Sequence, residues 1–424
     1  MQVSAPRGTA DILPGKIERW QWVQSIARTV LARYGYSEIV TPVFEHTELF
    51  VRGIGDTTDV VNKEMYTFLD KGNRQITLRP EGTASVVRAY LEHNMSAGPQ
   101  PVKLFYIGPI FRYERPQAGR YRQFYQMGVE ALGSADPALD AEMIILPIEI
   151  FRLLGLRNFL VKLNSIGCPV CRQQYRAALQ AHIAPVLASL CDTCRGRYET
   201  NPLRILDCKS EQCQAAVAAA PRSVDYLCAD CQTHFTQVQA LLTAVGIPFV
   251  LDERLVRGLD YYTRTVFEVQ SPDLGAQSAL GGGGRYDGLV EACGGKPTPS
   301  VGFAVGLERV VEALEKQGNA PDLQRTTDVF VAPLGAAARV SAFTLVQQLR
   351  QAGFTVETDY LQRSMKSQMK AADRLAARWV LILGEDELAR EVVQLRDMQA
   401  GTQEEAPLAT AAHILLERLE HTQH

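Results

Sequence analysis

Hydrophobic periodicity changes character twice along this chain, and the two changes restrict its architecture more than any other feature. The first segment, Ile17 to Tyr34, places Ile17, Trp20, Val23, Ile26, Ala27, Val30 and Leu31 at helical spacing, and Gly35 closes it. Strand-like runs follow at Ser37 to Pro42, Gln75 to Leu78, Val102 to Arg112 and Arg122 to Glu130. After a helical segment from Asp136 to Gly155 comes another at Leu160 to Ser165. Strands outnumber the helices between them, which predicts a mainly antiparallel sheet. From Cys168 to Cys231 the pattern breaks into short helical runs with eight cysteines, so residues 168–235 read as a small helical insertion. Strand patterning resumes near Phe249 and at Thr265 to Gln270, and Ala279 to Leu314 reads as strand, glycine-rich turn and helix.

The second change lies past a charged, proline-containing stretch, Lys316 to Thr327, which reads as a linker with a boundary near residue 322. Beyond it, strand and helix alternate: Asp328 to Pro333, Ala336 to Gln351, Thr355 to Thr358, Ser364 to Ala377 and Trp379 to Leu383. Alternation of this kind predicts an α/β domain with some parallel pairing. A chain of 424 residues exceeds what one hydrophobic core fills. The expectation is therefore an α/β (α+β) protein of two domains, 1–322 and 323–424.

Composition excludes more than it identifies. Hydrophobic residues at 46% and charged residues at 21% leave no room for a largely disordered chain. A formal net charge of -3 gives no global electrostatic case for nucleic acid, so any such contact must come from local basic patches. No apolar run is long enough to span a bilayer and Met1 to Pro14 has no signal-like apolar core, so a cytoplasmic protein without a membrane partner is expected. In a reducing compartment, nine cysteines are left with metal ligation, catalysis or packing as uses.

Two constellations carry chemistry. The run from Phe111 to Phe124 is a pair of strands around a Pro/Gly turn rich in arginine. Guanidinium groups match phosphate oxygens bidentately, so Arg112, Arg120 and Arg122 suit a triphosphate, and Glu114 can accept from a base amino group. A solvated basic hairpin accounts for the same spacing. The run Val301 to Arg309 is an apolar strand turning through Gly306 into a helix, which places Arg309 in its first turn, an arrangement suited to phosphate. An ordinary strand-to-helix joint would look the same. In the insertion, Cys168 with Cys171, Cys191 with Cys194 and Cys228 with Cys231 form three Cys-x-x-Cys pairs, and Cys208 with Cys213 a looser fourth. Eight thiolates suffice for two four-cysteine zinc sites, and reduced, partly buried thiols are the alternative. Cys293 is a spare thiol.

The Phe111 to Phe124 run resembles motif 2 of the class II aminoacyl-tRNA synthetases, and Val301 to Arg309 their motif 3. The helix and strand ending at Pro42 resemble motif 1. The strings Leu255-Val-Arg-Gly-Leu-Asp-Tyr-Tyr-Thr263 and Ala279-Leu-Gly-Gly-Gly-Gly-Arg-Tyr-Asp287 are similar to signatures of the histidyl-tRNA synthetase family. Pro6 to Asp11 and Leu78 to Thr83 agree with it. The resemblance covers almost the entire chain. It implies a class II catalytic domain, a C-terminal α/β anticodon-binding domain, a homodimer, and ATP with Mg2+, L-histidine and tRNA(His) as partners.

Under that resemblance, Glu81 and Thr83, with Gln126 beside them, receive the histidine ammonium. Glu130 and Tyr262 address the two ring nitrogens, and Tyr261 and Gly281 to Gly284 let the chain approach the ligand. A neutral imidazole presents one donor and one acceptor, a pair that few other amino acids offer. Arg112 and Arg257 serve the α-phosphate and carboxylate, Arg309 and Arg120 the outer phosphates, and Arg122 and Phe124 complete the ATP set with Glu114. Arg115 and Gln117 would meet the tRNA acceptor end, and Arg363, Lys366 and Lys370 would face RNA in the C-terminal domain. The rival reading is a silent paralogue, the regulatory subunit of an ATP phosphoribosyltransferase. Such proteins typically lack the full arginine set and the anticodon-binding domain.

Overall fold

The structure is a computed structural model that describes residues 3–55, 58–115, 119–321, 323 and 327–420. The chain divides into two compact units, 1–322 and 323–424. In the first, the strands in chain order are β1 (Ser37–Glu38), β2 (Phe44–His46), β3 (Tyr66–Leu69), β4 (Gln75–Leu78), β5 (Val102–Phe111), β6 (Gln123–Leu132), β7 (Leu160–Ser165), β8 (Val250–Leu251), β9 (Thr263–Gln270), β10 (Ala279–Arg285) and β11 (Ser300–Gly306). Eight form one sheet in the order β1-β5-β6-β11-β10-β9-β7-β8, and β2-β4-β3 form a small second one. Among the described residues of this unit, only the two edge pairs, β1 with β5 and β7 with β8, are parallel. The antiparallel majority expected from the strand count is present.

Helices cover the large sheet because each presents one apolar stripe. The helix Ile17–Arg33 buries Trp20, Val23, Ala27, Val30 and Leu31, most of the residues that the periodicity placed inward. These side chains join a single core with the helices Pro137–Leu153 and Leu307–Lys316 and the inner face of the sheet. Pro137–Leu153 starts where the Asp136 carboxylate accepts the Ala138 N–H at 2.8 Å, with a proline in the first turn. Arg285, fully buried at the end of β10, pairs with Asp140 on that helix, and Asp140 also meets His234 at 3.1 Å. A buried charge is tolerable only when compensated in this way.

Two sequence expectations are corrected. The strand expected over Ser37 to Pro42 shortens to Ser37–Glu38. The Arg79 guanidinium takes the Thr41 carbonyl and hydroxyl at 3.1 and 3.0 Å, and Pro42 has no N–H for a ladder. The glycine run Gly281 to Gly284 is not a turn but the middle of β10, between β11 and β9. Its neighbours lie so close that side chains are excluded: a Cβ on Gly283 would stand 2.0 Å from the Gly302 carbonyl oxygen. Gly283→Ala is therefore expected to cost about 2 kcal/mol or more, read as a lower denaturation midpoint; an unchanged midpoint would show that the strands can part.

The insertion is helical, with Pro169–Ile183, Asp192–Thr200, Glu211–Ala216 and Ala229–Ala244. In the second unit the strands are β12 (Val329–Pro333), β13 (Val356–Thr358), β14 (Trp379–Leu383), β15 (Val392–Asp397) and β16 (Gln403–Pro407), in the order β13-β12-β14-β15-β16. β12 pairs parallel with β13 and β14, as alternation predicts, and an antiparallel hairpin, β15-β16, extends the sheet. The helices Ala338–Gln351 and Ala411–Glu420 cover one face. Met365–Arg374 packs on the other.

Candidate active site

Strands β5, β6, β10 and β11 and the loop before β9 enclose a cavity of about 330 Å3. It has two chemically different ends. At one lie Glu81, Thr83, Tyr106, Gln126, Glu130, Tyr261, Tyr262 and Tyr286. At the other lie Arg112, Glu114, Arg120, Phe124, Glu308 and Arg309, with Arg257 and Glu268 also on the wall.

The first end is a buried hydrogen-bond network. Glu81 precedes the helix Thr83–Glu92, and its carboxylate accepts the N–H groups of Thr83 and Ala84 at 2.7 and 2.8 Å. The Thr83 hydroxyl donates to Glu130 Oε1 at 2.6 Å, and the Tyr286 hydroxyl to Glu130 Oε2 at 2.5 Å. Burial pushes the Glu130 carboxyl up to about 8; these two donors oppose the shift and the nearby Glu81 adds to it. Burial raises Glu81 as well, against its two backbone donors. The Glu130 carboxylate occupies the space that a side chain at Gly302 would take, since a Cβ there would stand 2.0 Å from its Oε2. The rings of Tyr261 and Tyr262 lie 4.7 Å apart, and Tyr261 and Tyr286 meet edge to face at 5.6 Å.

The second end is cationic. Arg112 Nε donates to the Pro80 carbonyl at 2.8 Å, and its guanidinium lies 5.6 Å from the centre of the Phe124 ring. Arg120 and Glu114 form an ion pair at 3.3 Å. Arg309, two residues into the helix Leu307–Lys316, reaches the arginine-rich turn, where a Cβ on Gly119 would stand 2.8 Å from its guanidinium carbon. The neighbouring Glu308 accepts the Tyr125 N–H with both oxygens, at 3.0 and 3.1 Å, and burial pushes its carboxyl up to about 7. Arg257 Nη1 donates to Glu268 Oε2 at 2.9 Å, while its buried Nε has no hydrogen-bond partner among the described residues. A buried guanidinium donor left over in a cavity is a place for an anionic oxygen.

Of the residues expected in the ATP set, Arg122 is not brought into the cavity lining. Its guanidinium stacks on the Tyr113 ring at 4.1 Å, and its Nε donates to the Glu114 carbonyl at 3.3 Å. Arg115 is exposed outside the lining, and Gln117 lies outside the described residues. In the second unit Lys366 and Lys370 are exposed, but Arg363 is held by Asp359 and does not stand as a free member of the trio. Sequence reasoning missed Tyr106, Glu268 and Tyr286. Glu268 did leave a signal, as the one acid of the strand Thr263–Gln270, set between Phe267 and Val269; Tyr286 stood inside a quoted string with no role; Tyr106 left none.

The eight insertion cysteines gather into two groups: Cys168, Cys171, Cys228 and Cys231, and Cys191, Cys194, Cys208 and Cys213. Within each, all sulfurs lie within 4.8 Å of one another, and none is in a disulfide. The Cys228 N–H donates to Cys171 Sγ at 3.1 Å and the Cys191 N–H to Cys213 Sγ at 3.3 Å.

Comparison with known proteins finds similarity over nearly the whole length. A family model described as histidyl-tRNA synthetase matches residues 8–310, and one described as anticodon binding domain matches residues 328–418. The histidine–tRNA ligase of Moorella thermoacetica is 58% identical over 409 residues, covering 96% of this chain and 97% of its own. That of Desulforamulus reducens is 56% identical over 408 residues, with the same coverage of 96% and 97%. Among solved structures, apo S. aureus histidyl-tRNA synthetase aligns with a TM-score of 0.83 at 40% identity, covering 98% of this chain and 100% of that one. With the histidine-type strings, a cavity lined by both chemistries and full-length relatives in agreement, the chain belongs to the histidyl-tRNA synthetase family.

Proposed function

We propose that the tyrosine–glutamate end of the cavity holds L-histidine and the arginine end holds ATP, so that the histidine carboxylate meets the α-phosphorus between them. The activity is that of a histidine–tRNA ligase: activation of histidine with ATP, then transfer to tRNA. The observation that carries the site reading is the single cavity wall shared by Glu130, Tyr262, Arg257 and Arg112. The carboxylate oxygen attacks the α-phosphorus in line, the bond to the bridging oxygen breaks, and pyrophosphate leaves. A hydroxyl at the 3' end of the tRNA then attacks the adenylate carbonyl and AMP departs. No protein nucleophile is needed, so catalysis is positioning and charge stabilisation. In this reading Arg257 and Arg112 bind the α-phosphate and carboxylate, Arg309 and Arg120 the outer phosphates, and Phe124 and Glu114 the adenine. Glu81, Thr83 and Gln126 receive the ammonium, and Arg115 meets the tRNA acceptor end.

Among the described residues, the only groups of three or more metal-ligating side chains are the two cysteine groups. Cavity carboxylates Glu268 and Glu308 are already engaged by Arg257 and by the Tyr125 amide. Mg2+ in this reading is therefore held chiefly by phosphate oxygens and neutralises their charge. The cysteines do fit a protein-held metal: a tetrahedral zinc–thiolate site sets its sulfurs about 3.8 Å apart, and Cys168 to Cys171 and Cys191 to Cys208 span 3.5 and 4.0 Å. We expect about two zinc ions per chain by elemental analysis, with Cys→Ser in either group removing one; zinc far below one per chain would refute the assignment.

The homodimer implied by motif 1 is supported by exposed apolar side chains near that segment, Val40, Phe44, Phe68 and Leu69. A monomer in light scattering at micromolar concentration would contradict it. No helix among the described residues is long and apolar enough to cross a membrane. The regulatory-subunit reading is not favoured, because Arg112, Arg120, Arg257 and Arg309 share one cavity and the ligase relatives align through the second unit. Calorimetric titration with histidine and with its two ring N-methylated forms tests the pocket. Glu130 and Tyr262 predict binding of histidine and loss of both analogues; equal binding of all three would refute it.

A further inference from the structure

The cysteine insertion meets the segment that carries Tyr261 and Tyr262 through two side chains, Arg172 and Asn201, and both of them reach Asp260. Arg172 directly follows Cys171 in the first turn of the helix Pro169–Ile183. Its Nη1 donates to the Tyr262 carbonyl at 3.0 Å and to the Asp260 carbonyl at 3.4 Å. From the other cysteine group, the helix Asp192–Thr200 begins at Cys191, carries Cys194 and ends at Asn201, whose amide donates to Asp260 Oδ1 at 2.6 Å. The Asp260 N–H donates to the Ile54 carbonyl at 3.2 Å. Asp260 is thus tied to the catalytic unit on one side and to each cysteine group on the other. The same segment carries Tyr261 and Tyr262. Val256, next to Arg257, packs against both the insertion core and the cluster that contains Tyr262.

We propose that Arg172 and Asn201 are positioning residues for the histidine pocket, and that the two cysteine groups act as paired clamps that hold the Asp260 to Tyr262 segment in place. The proposal rests on the reading of that segment as a wall of the histidine site. Neither residue lines the cavity, so neither touches substrate. Their effect is to keep the two tyrosines registered against Glu130, where a shift of about 1 Å is enough to weaken recognition. Backbone bonds reinforce the grip: Arg264 N–H donates to the Gly167 carbonyl and Ile166 N–H to the Arg264 carbonyl, both at 2.9 Å.

The test is ATP–pyrophosphate exchange on the full chain with its metal, for Arg172→Ala and Asn201→Ala. Each is expected to raise the histidine KM about tenfold, while the ATP KM and the zinc content stay unchanged. Arg172→Lys, which retains a donor, is expected to recover part of the loss. A second readout is amide hydrogen exchange over residues 257–263, expected to quicken in the alanine variants and equally when a chelator strips the metal. A histidine KM unmoved in both alanine variants would overturn the proposal. So would equal rises in the histidine and ATP KM, which mark general destabilisation. Should an alanine variant fail to fold, Arg172→Met, which keeps the length of the side chain without a donor, would overturn the proposal alone if it showed native exchange over 257–263 and native histidine KM. Wild-type protein that shows no histidine-dependent exchange would remove the underlying reading instead.

Discussion

Arg257→Ala is expected to leave histidine binding measurable while cutting ATP–pyrophosphate exchange about a thousandfold or more. The argument is one of charge and place. Arg257 is anchored through one nitrogen to Glu268 at 2.9 Å, which fixes the plane of the fork. Its Nε is buried and without a partner among the described residues, and its guanidinium stands 5.8 Å from the centre of the Tyr262 ring. The nearby Glu268 and Tyr262 raise its pKa against the burial that lowers it, so the charge persists through any working pH. A fixed cation in a water-poor site stabilises charge that develops on the α-phosphate, and alanine provides no substitute. Arg257→Lys should recover little, because an ammonium cannot bridge Glu268 and a phosphate oxygen in one plane. Exchange kinetics with separate histidine titrations check this. Nearly normal exchange in Arg257→Ala would remove the residue from the chemical step.

Glu130→Gln is expected to trade recognition for stability. Both Glu130 oxygens already accept, from Thr83 and Tyr286, yet a carboxylate has about four acceptor positions and can take an imidazole N–H as well. Glutamine keeps the size but puts an amide donor where an oxygen accepted, so the bond to the imidazole N–H is lost and the histidine KM should rise about 30- to 100-fold. The stability effect has a definite sign. Burial raises this carboxyl from 4.5 to about 8, so the folded state holds the proton more tightly than the unfolded chain. Its stabilising contribution is complete below about pH 4.5 and is lost as pH rises through about 8. Thermal denaturation of ligand-free protein at pH 5 and pH 9 should therefore show a fall in wild-type Tm that is reduced in Glu130→Gln. Parallel pH profiles would mean that this carboxyl titrates normally.

Much of this arrangement was legible because it lies on long, regular elements. Strands β5 and β6 are ten residues each, and their turn had to bring Arg112, Glu114, Arg120 and Phe124 near one another. What stayed hidden came from pairings that no local pattern encodes. Tyr286 reaches Glu130 only because β10 is packed against β11; that closeness is why Gly283 lacks a side chain, while Gly302 leaves room for Glu130 on β6. The same glycine run looks like a turn when its neighbours are unknown. The helix Thr83–Glu92 was invisible because seven of its ten residues are buried, which erases the polar face that periodicity needs. The strand Gln403–Pro407 was missed for the opposite reason, with four of its five residues exposed. Arg122 has the right chemistry for phosphate, but the Tyr113 ring offers its guanidinium a nearer partner.

The central claim is that one cavity selects histidine and joins it to ATP before transfer to tRNA. Pyrophosphate exchange into ATP, run with each of the twenty amino acids and followed by charging of total tRNA, tests this most directly. The account predicts exchange with histidine alone and histidine delivered to a single tRNA species. Histidine binding without exchange, or exchange that does not distinguish histidine from other amino acids, would contradict it.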